Sequence, residues 1–349
     1  ETTNYGGDNF DADPELSLTA SISWELDLWG NLRWARDHST AGFLASVENC
    51  RAVKMGLVAQ VAQSYFELMA LDNELAIVRR TLEARREGVR LAEIRFKGGL
   101  TSEIVFQQAK VELAKTATMV PDLERRISLK ESEIALLTGD FPYAVNRNVL
   151  PEEIQLPDAL PLGLPSTLLE RRPDIRKAER ELMAAHAEVG LAYTNMFPRL
   201  ALTATLGAES ETLRDLLKSP YSYLAGNLLS PLFAMGKNRA ALKAKRAAYE
   251  GAVAEYEKTV LTAFKETHDA IINFNKIKDI YESRRQLAEA SRTAVELAQL
   301  QYINGVIGYL DLLDAQRNYF DAQVSLSNAV CNKQLMIINL YKALGGGWK

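Results

Sequence analysis

From Leu16 to Leu28, apolar and polar residues alternate. Leu16, Leu18, Ala20, Ile22, Trp24, Leu26 and Leu28 form one set, and Ser17, Thr19, Ser21, Ser23, Glu25 and Asp27 the other. Period two puts the sets on opposite faces of a strand, predicted over residues 15–28. At about 3.3 Å per residue it reaches roughly 43 Å, long for a globular domain. After Gly30 the period changes. Val47, Val58, Val61, Tyr65, Leu68, Leu71, Leu75, Val78 and Leu82 recur at spacings that suit a helix, predicted over 31–97 with no Pro inside. At 1.5 Å rise it is about 100 Å long, which argues for coiled-coil packing rather than a compact core. Gly98 and Gly99 break it, giving a tight turn at 98–101. A second helix is predicted over 102–138, ending at Gly139, with Pro121 expected to bend or interrupt it.

Residues 140–165 carry Pro142, Pro151, Pro157, Pro161 and Pro165 and read as a linker or crossing segment. A helix at 173–195 opens on Pro173 and Asp174, residues suited to a first turn. Alternation then returns at 199–208, through Leu200, Leu202, Ala204, Leu206 and Ala208. A polar loop at 209–219 leads to a blurred strand at 220–234. A second long helix is predicted over 237–304, with Val253, Tyr256, Val260, Phe264, Ile271, Phe274 and Tyr281 as its apolar marks. A turn at 305–308 and a last helix at 309–344 follow, closed by Gly345, Gly346 and Gly347.

The two halves correspond at an offset of 206. It pairs Leu26 with Leu232, Gly30 with Gly236, Arg33 with Arg239, Val47 with Val253, Arg79 with Arg285, Leu91 with Leu297, Gly99 with Gly305 and Gly139 with Gly345. Such a repeat is one structural unit used twice. The expected domains are therefore a first repeat at 1–139, a Pro-rich linker with its helix at 140–197, and a second repeat at 198–349. Each complete unit reads strand, loop, strand, long helix, tight turn, helix. The first lacks its opening strand: the chain begins at Glu1, without Met, in a loop-like stretch, and reads as a mature or truncated product. The fold class is mainly α with a small β part, built on long antiparallel coiled-coil hairpins.

Composition narrows the function. Of 349 residues 47% are apolar and 25% charged, so the chain is not disordered by composition, and a net charge of −4 is too mild to imply nucleic acid. The arginine pairs at 79–80, 85–86 and 125–126 are interleaved with Glu83, Glu87 and Glu124, as on a solvated helix face. Cys50 and Cys331 do not correspond in the repeat and read as buried free thiols, with a disulfide left open. No signal peptide and no apolar run near 18 residues is present. His38, His186 and His268 stand apart, without metal-ligand spacing, a nucleophile–base pair or a phosphate loop, so no enzyme activity, metal or cofactor is expected.

An apolar strand face lies against either the core of a soluble sandwich or lipid around an outer-membrane barrel. Length favours the barrel, as do the small number of strands between long helices and the aromatics Trp24, Trp29, Tyr221 and Tyr223 along or at the ends of the strands. Three or four strands cannot close a barrel, and lipid does not tolerate an open edge, so several copies of the chain would have to combine.

Glu170-Arg-Arg-Pro-Asp-Ile175 with Ala178, Glu179, Ala192, Phe197 and Pro198 resembles the signature of RND-type outer-membrane efflux lipoproteins, the TolC/OprM family of outer-membrane factors. Phe96-x-x-Gly99 and Tyr302-x-x-Gly305, the latter followed by Leu310-Asp-Leu-Leu-Asp-Ala315, resemble that family's helix-turn-helix tips. The likeness spans essentially the whole chain. It implies a homotrimer in the full-length form, with four strands per protomer in a 12-stranded barrel and long helices forming an α-barrel periplasmic tunnel. It also implies about 100 further N-terminal residues, often starting at a lipidated Cys. The partners implied are a periplasmic adaptor (membrane fusion) protein, an inner-membrane RND transporter and outer-membrane lipid.

By the same resemblance, Asp311 and Asp314 match the acidic ring at the tunnel's periplasmic entrance, and six carboxylates in a trimer would attract cations. Read from spacing alone, they share one helix face in a first turn and could equally complement its dipole. The first repeat has Val105 and Gln108 there, and Ile307 stands where the family prototype has a basic residue. Gly99, Leu100, Thr101 and Gly305, Val306, Ile307 are adaptor-docking tips by resemblance, or plain tight turns. Phe96 and Tyr302 pack at the tip or belong to ordinary core. Leu18, Ile22, Trp24 and Leu26 are the lipid-facing positions of the first strand. The functional expectation is an outer-membrane exit duct of a tripartite efflux pump; the other reading is a soluble coiled-coil scaffold.

Overall fold

The computed structural model describes residues 16–147, 170–210, 214–231 and 233–346. The loop expected at 1–14, most of the Pro-rich segment, the middle of the 209–219 loop, Leu232 and Gly347 lie outside the described residues. In chain order the elements are β1 (Leu16–Leu26), α1 (Asn31–Lys97), α2 (Glu103–Thr138), α3 (Pro173–Thr194), β2 (Arg199–Ser210), β3 (Pro220–Leu229), α4 (Met235–Ile303) and α5 (Tyr309–Ala343). The described residues fall into two compact units. One takes them from 1–46 and 178–257, the other from 47–177 and 258–349. This division differs from the expected three domains: each unit takes residues from both halves of the chain.

In the first unit β1, β2 and β3 form an antiparallel sheet in that order. Ile22 faces Ala204 and Ala204 faces Leu224; Ser21 faces Thr205 and Thr205 faces Tyr223. Directly opposed residues share a face, so one face of the sheet is apolar and the other mainly polar. β1 stops at Leu26 rather than at 28, because Asp27 turns inward to cap α1. Its two carboxylate oxygens accept the Leu32 and Arg33 backbone N–H groups at 2.9 and 3.0 Å, satisfying donors that a helix start leaves free. β3 ends at Leu229 rather than at 234; Pro231 follows and has no N–H to give a ladder. The sheet is tied to α3 and α1 through Trp29. Its indole Nε1 donates to the Pro198 carbonyl at 2.9 Å, and its ring stacks on Phe197 at 4.8 Å. Trp34 lies against Gly190 so closely that a Cβ there would sit 2.4 Å from the ring.

In the second unit Leu68, Leu71, Leu75 and Val78 of α1 pack on Leu123, Ile127 and Ile134 of α2. Leu68, Val78 and Leu123 are among the largest fully buried side chains, each worth about 1.5–3 kcal/mol. Pro121 does not interrupt α2, which runs on from Glu103 to Thr138. Its missing hydrogen bond is outweighed locally: Met119, Val120, Leu123 and Ile127 on either side of it all pack in this cluster. The stretch after α2 is more than a linker, because Val145 joins the same core and Arg147 pairs with Asp72 at 2.5 Å and Glu131 at 2.9 Å.

Gly99 and Gly305 have left-handed backbones, φ 73° and 74°. At the first turn Leu100 N donates to Arg95 O at 2.8 Å; at the second Val306 N donates to Gln301 O at 2.8 Å. Gly139 and Gly345 repeat the likeness with φ 80° and 73°. Gly30 and Gly236 do not: Gly30 has φ 79° ahead of α1, while Gly236 lies inside α4.

Candidate functional site

The sheet carries two surfaces of opposite character. On the apolar face Leu18, Ile22, Trp24, Leu206, Leu224 and Leu228 are exposed, Ile22 and Leu224 each at 76%. Leu26, at the end of β1, is half-buried. On the other face hydroxyls pair across the strands: Thr19 with Tyr221 at 3.3 Å, Ser21 with Thr205 at 3.1 Å and Ser23 with Thr203 at 3.2 Å. Tyr221 lies over Gly207, where a Cβ would meet its ring at 2.4 Å. No described helix is long and apolar enough to cross a membrane.

The tips of the two hairpins are exposed. Leu100 is 78% and Val306 71% accessible, and Ile307 and Thr101 are half-buried. Phe96 stacks on Phe106 at 6.0 Å, while the buried Tyr302 meets Tyr309 edge-on at 5.9 Å. Arg95 of α1 sets its guanidinium 4.6 Å from the Tyr302 ring centre, a cation–π contact between residues of the two hairpins.

Asp311 and Asp314 are both exposed at the start of α5. Asp311 Oδ2 accepts the Gly308 backbone N–H at 3.0 Å, so this carboxylate caps the helix. Asp314 lies 3.5 Å from Arg317 Nη1. The same Arg317 gives its Nη2 to Glu112 of α2 at 2.5 Å.

Glu112 is the centre of a cluster that the sequence did not single out. Its side chain is 5% exposed, and Arg85, Lys115 and Arg317 converge on it at 3.1, 3.3 and 2.5 Å. Arg85 also donates to the Glu112 carbonyl at 2.8 Å and to Thr116 Oγ1. The Arg317 hydrogen bond holds the Glu112 carboxyl below the usual range against the effect of burial. Burial lowers Arg85, against the attraction of Glu112. The pair at 85–86 is thus split. Arg86 is solvated, as expected of the charged face, whereas Arg85 is only 11% exposed. Three short, separate charged segments meet here, which is why no local motif marks the site.

Residues 171–174 form a second charged centre. Arg172 pairs with Asp174 and Glu266, both at 2.6 Å, and donates to the Ala343 carbonyl at 3.3 Å. Burial disfavours its charge, but these two carboxylates hold its pKa above the usual value. Cys50 is exposed, contrary to expectation, since its place on α1 turns outward. Cys331 is half-buried, donates to the Phe66 carbonyl at 3.6 Å, and burial pushes its thiol up to about 11. Among the described residues no group of three or more His, Cys, Asp or Glu gathers as a metal site.

The profile of the outer membrane efflux protein family matches residues 3–140 and 164–346. Outer membrane protein OprJ of Pseudomonas aeruginosa is 35% identical over 335 residues, 93% of this chain and 68% of OprJ. The solvent efflux pump outer membrane protein SrpC of Pseudomonas putida is 33% identical over 340 residues, 96% of this chain and 72% of SrpC. The solved structure of the outer-membrane channel OprN superposes with a TM-score of 0.88 at 29% identity, covering 96% of this chain and 82% of OprN. The chain belongs to the outer membrane efflux protein family and serves as an outer-membrane exit channel of an efflux pump.

Proposed function

We propose that the channel is a homotrimer in which four strands from each protomer, β1, β2 and β3 among them, combine into one 12-stranded barrel, and the long helices wall a periplasmic tunnel. The observation that carries this reading is the exposed apolar face of β1, β2 and β3, backed by hydroxyl ladders on the opposite face. An apolar band facing lipid and a polar lumen need that arrangement, and closure in lipid needs strands from further copies. Leu18, Ile22, Trp24 and Leu26 then face lipid. A soluble coiled-coil scaffold leaves this apolar face without a neighbour.

The hairpins at Gly99 and Gly305 are two copies of one unit, a reading supported by their matching φ angles and hydrogen bonds 206 residues apart. Leu100, Thr101, Val306 and Ile307 dock the adaptor, with Phe96 and Tyr302 packing behind them. Asp311 and Asp314 line the entrance and favour cations. Asp311 caps its own helix as well, and the two roles are compatible because capping uses one carboxylate oxygen. Planar-bilayer recording of the full-length protein tests the duct. Stable conductance is expected, and no ion flow under any condition overturns the reading. Exchange of Asp311 and Asp314 to Asn is expected to weaken cation selectivity; unchanged selectivity leaves both as complements of the helix dipole alone.

A further inference from the structure

Arg317 stands between two carboxylates that compete for it. Its Nη2 is 2.5 Å from Glu112 Oε1, and its Nη1 is 3.5 Å from Asp314 Oδ1. The two partners differ in setting: the Glu112 side chain is 5% exposed and that of Asp314 70%. Attraction in the drier, closer pair is stronger and little screened, whereas salt and water weaken the pair with Asp314. Glu112 is itself held in place by Arg85 and Lys115, so it cannot follow Arg317 outward.

We propose that Glu112 sets the charge of the channel entrance by holding Arg317 away from Asp314, making Arg317 and Glu112 residues that determine ion selectivity. While Glu112 keeps the guanidinium, Asp314 retains most of its negative charge toward the lumen. When that hold is lost, Arg317 turns to Asp314, the other carboxylate it touches among the described residues, and neutralises it. A residue of α2 thereby governs the field made by a residue of α5. The inference rests on the reading of Asp311 and Asp314 as entrance residues.

Its mark is a pair of effects of opposite sign. In planar bilayers, Arg317→Gln removes the competing cation and is expected to raise the cation-over-anion permeability ratio about three-fold, the effect of one unit charge some 6 Å away in water. Glu112→Gln frees Arg317 and is expected to lower that ratio. In an Asp314→Asn background Glu112→Gln is expected to change nothing further. Circular dichroism of each variant checks that the helices persist, and Arg317→Gln, at a more exposed position, carries the test if Glu112→Gln fails to fold. The inference is overturned if Arg317→Gln leaves the ratio unchanged while Asp314→Asn lowers it, or if Arg317→Gln and Glu112→Gln shift it in the same direction. If Asp314→Asn itself has no effect, the entrance reading falls and this inference falls with it.

Discussion

Arg172 donates from Nη1 to the carbonyl of Ala343, so the arginine before Pro173 satisfies the last turn of α5, 171 residues further on. Thr267 of α4 donates to the same carbonyl at 3.2 Å. Gly345 completes the contact: its backbone approaches Arg171 so closely that a Cβ would sit 3.0 Å from the Arg171 carbonyl carbon. Removing Arg172 breaks charge-assisted hydrogen bonds to two carboxylates that water still reaches, Asp174 at 37% and Glu266 at 52% exposure, at a cost of about 1.5–3 kcal/mol. Arg172→Ala should therefore lower the denaturation midpoint strongly. Arg172→Lys, which keeps the charge but loses the planar fork, should fall between it and the native chain. Urea unfolding followed by circular dichroism measures both; a shift under about 1 kcal/mol for Arg172→Ala would assign no structural weight to the motif.

The two faces of β1, β2 and β3 should respond to charge in opposite ways. Ile22 is on the apolar face and Asn227 on the polar one. A lysine on the lipid face of a barrel costs about 2–4 kcal/mol at mid-membrane, whereas lumen positions accept charge. Ile22→Lys is expected to reduce the amount recovered in washed outer membranes, and Asn227→Lys to leave it near the native amount. Equal recovery of both variants would contradict the assignment of the faces.

Leu100 and Val306 project from the two tips with little of their surface covered. Changing them should leave folding within about 0.5 kcal/mol, as for most exposed positions. Contact with an adaptor is another matter, because loss of a central apolar anchor costs more than about 1.4 kcal/mol, a ten-fold change in Kd. Leu100→Asp and Val306→Asp are each expected to weaken adaptor capture about ten-fold or more with thermal stability unchanged. Native-like capture by the double variant would place the docking surface elsewhere.

What the sequence made legible was what local pattern determines. Alternation from Leu16 to Leu26 marks β1, and the glycine breaks at 98–99 and 305 mark where α1 and α4 stop. Element ends were read less well, because they depend on single side chains: Asp27 folds back to cap a helix, and Pro231 cannot extend a ladder. At Pro121 the local penalty is visible in the sequence, whereas the packing of Leu123 and Ile127 that accompanies an uninterrupted α2 is not. Glu112 was missed for a similar reason. Lys110, Glu112 and Lys115 look like a solvated face, and only the approach of Arg85 and of Arg317, 205 residues away, turns that glutamate inward.

The Glu112 cluster should also make stability depend on acid. The carboxyl has a folded-state pKa below its ordinary value of 4.5, chiefly through the Arg317 hydrogen bond. A group depressed in the folded state contributes stability that is present above its unfolded pKa and lost as pH falls through the folded one. The contribution is therefore complete above about pH 5.5 and declines steadily below about pH 4.5. Glu133 and Asp174 are also depressed, through Lys130 and Arg172, and add to the same slope. Glu112→Gln removes the carboxyl that takes up the proton, so the variant's unfolding free energy should fall less between pH 7 and pH 4 than that of the native chain. Chemical denaturation at the two pH values, at one fixed salt concentration, gives the comparison. Equal losses in the two proteins would show that Glu112 contributes nothing to the acid dependence.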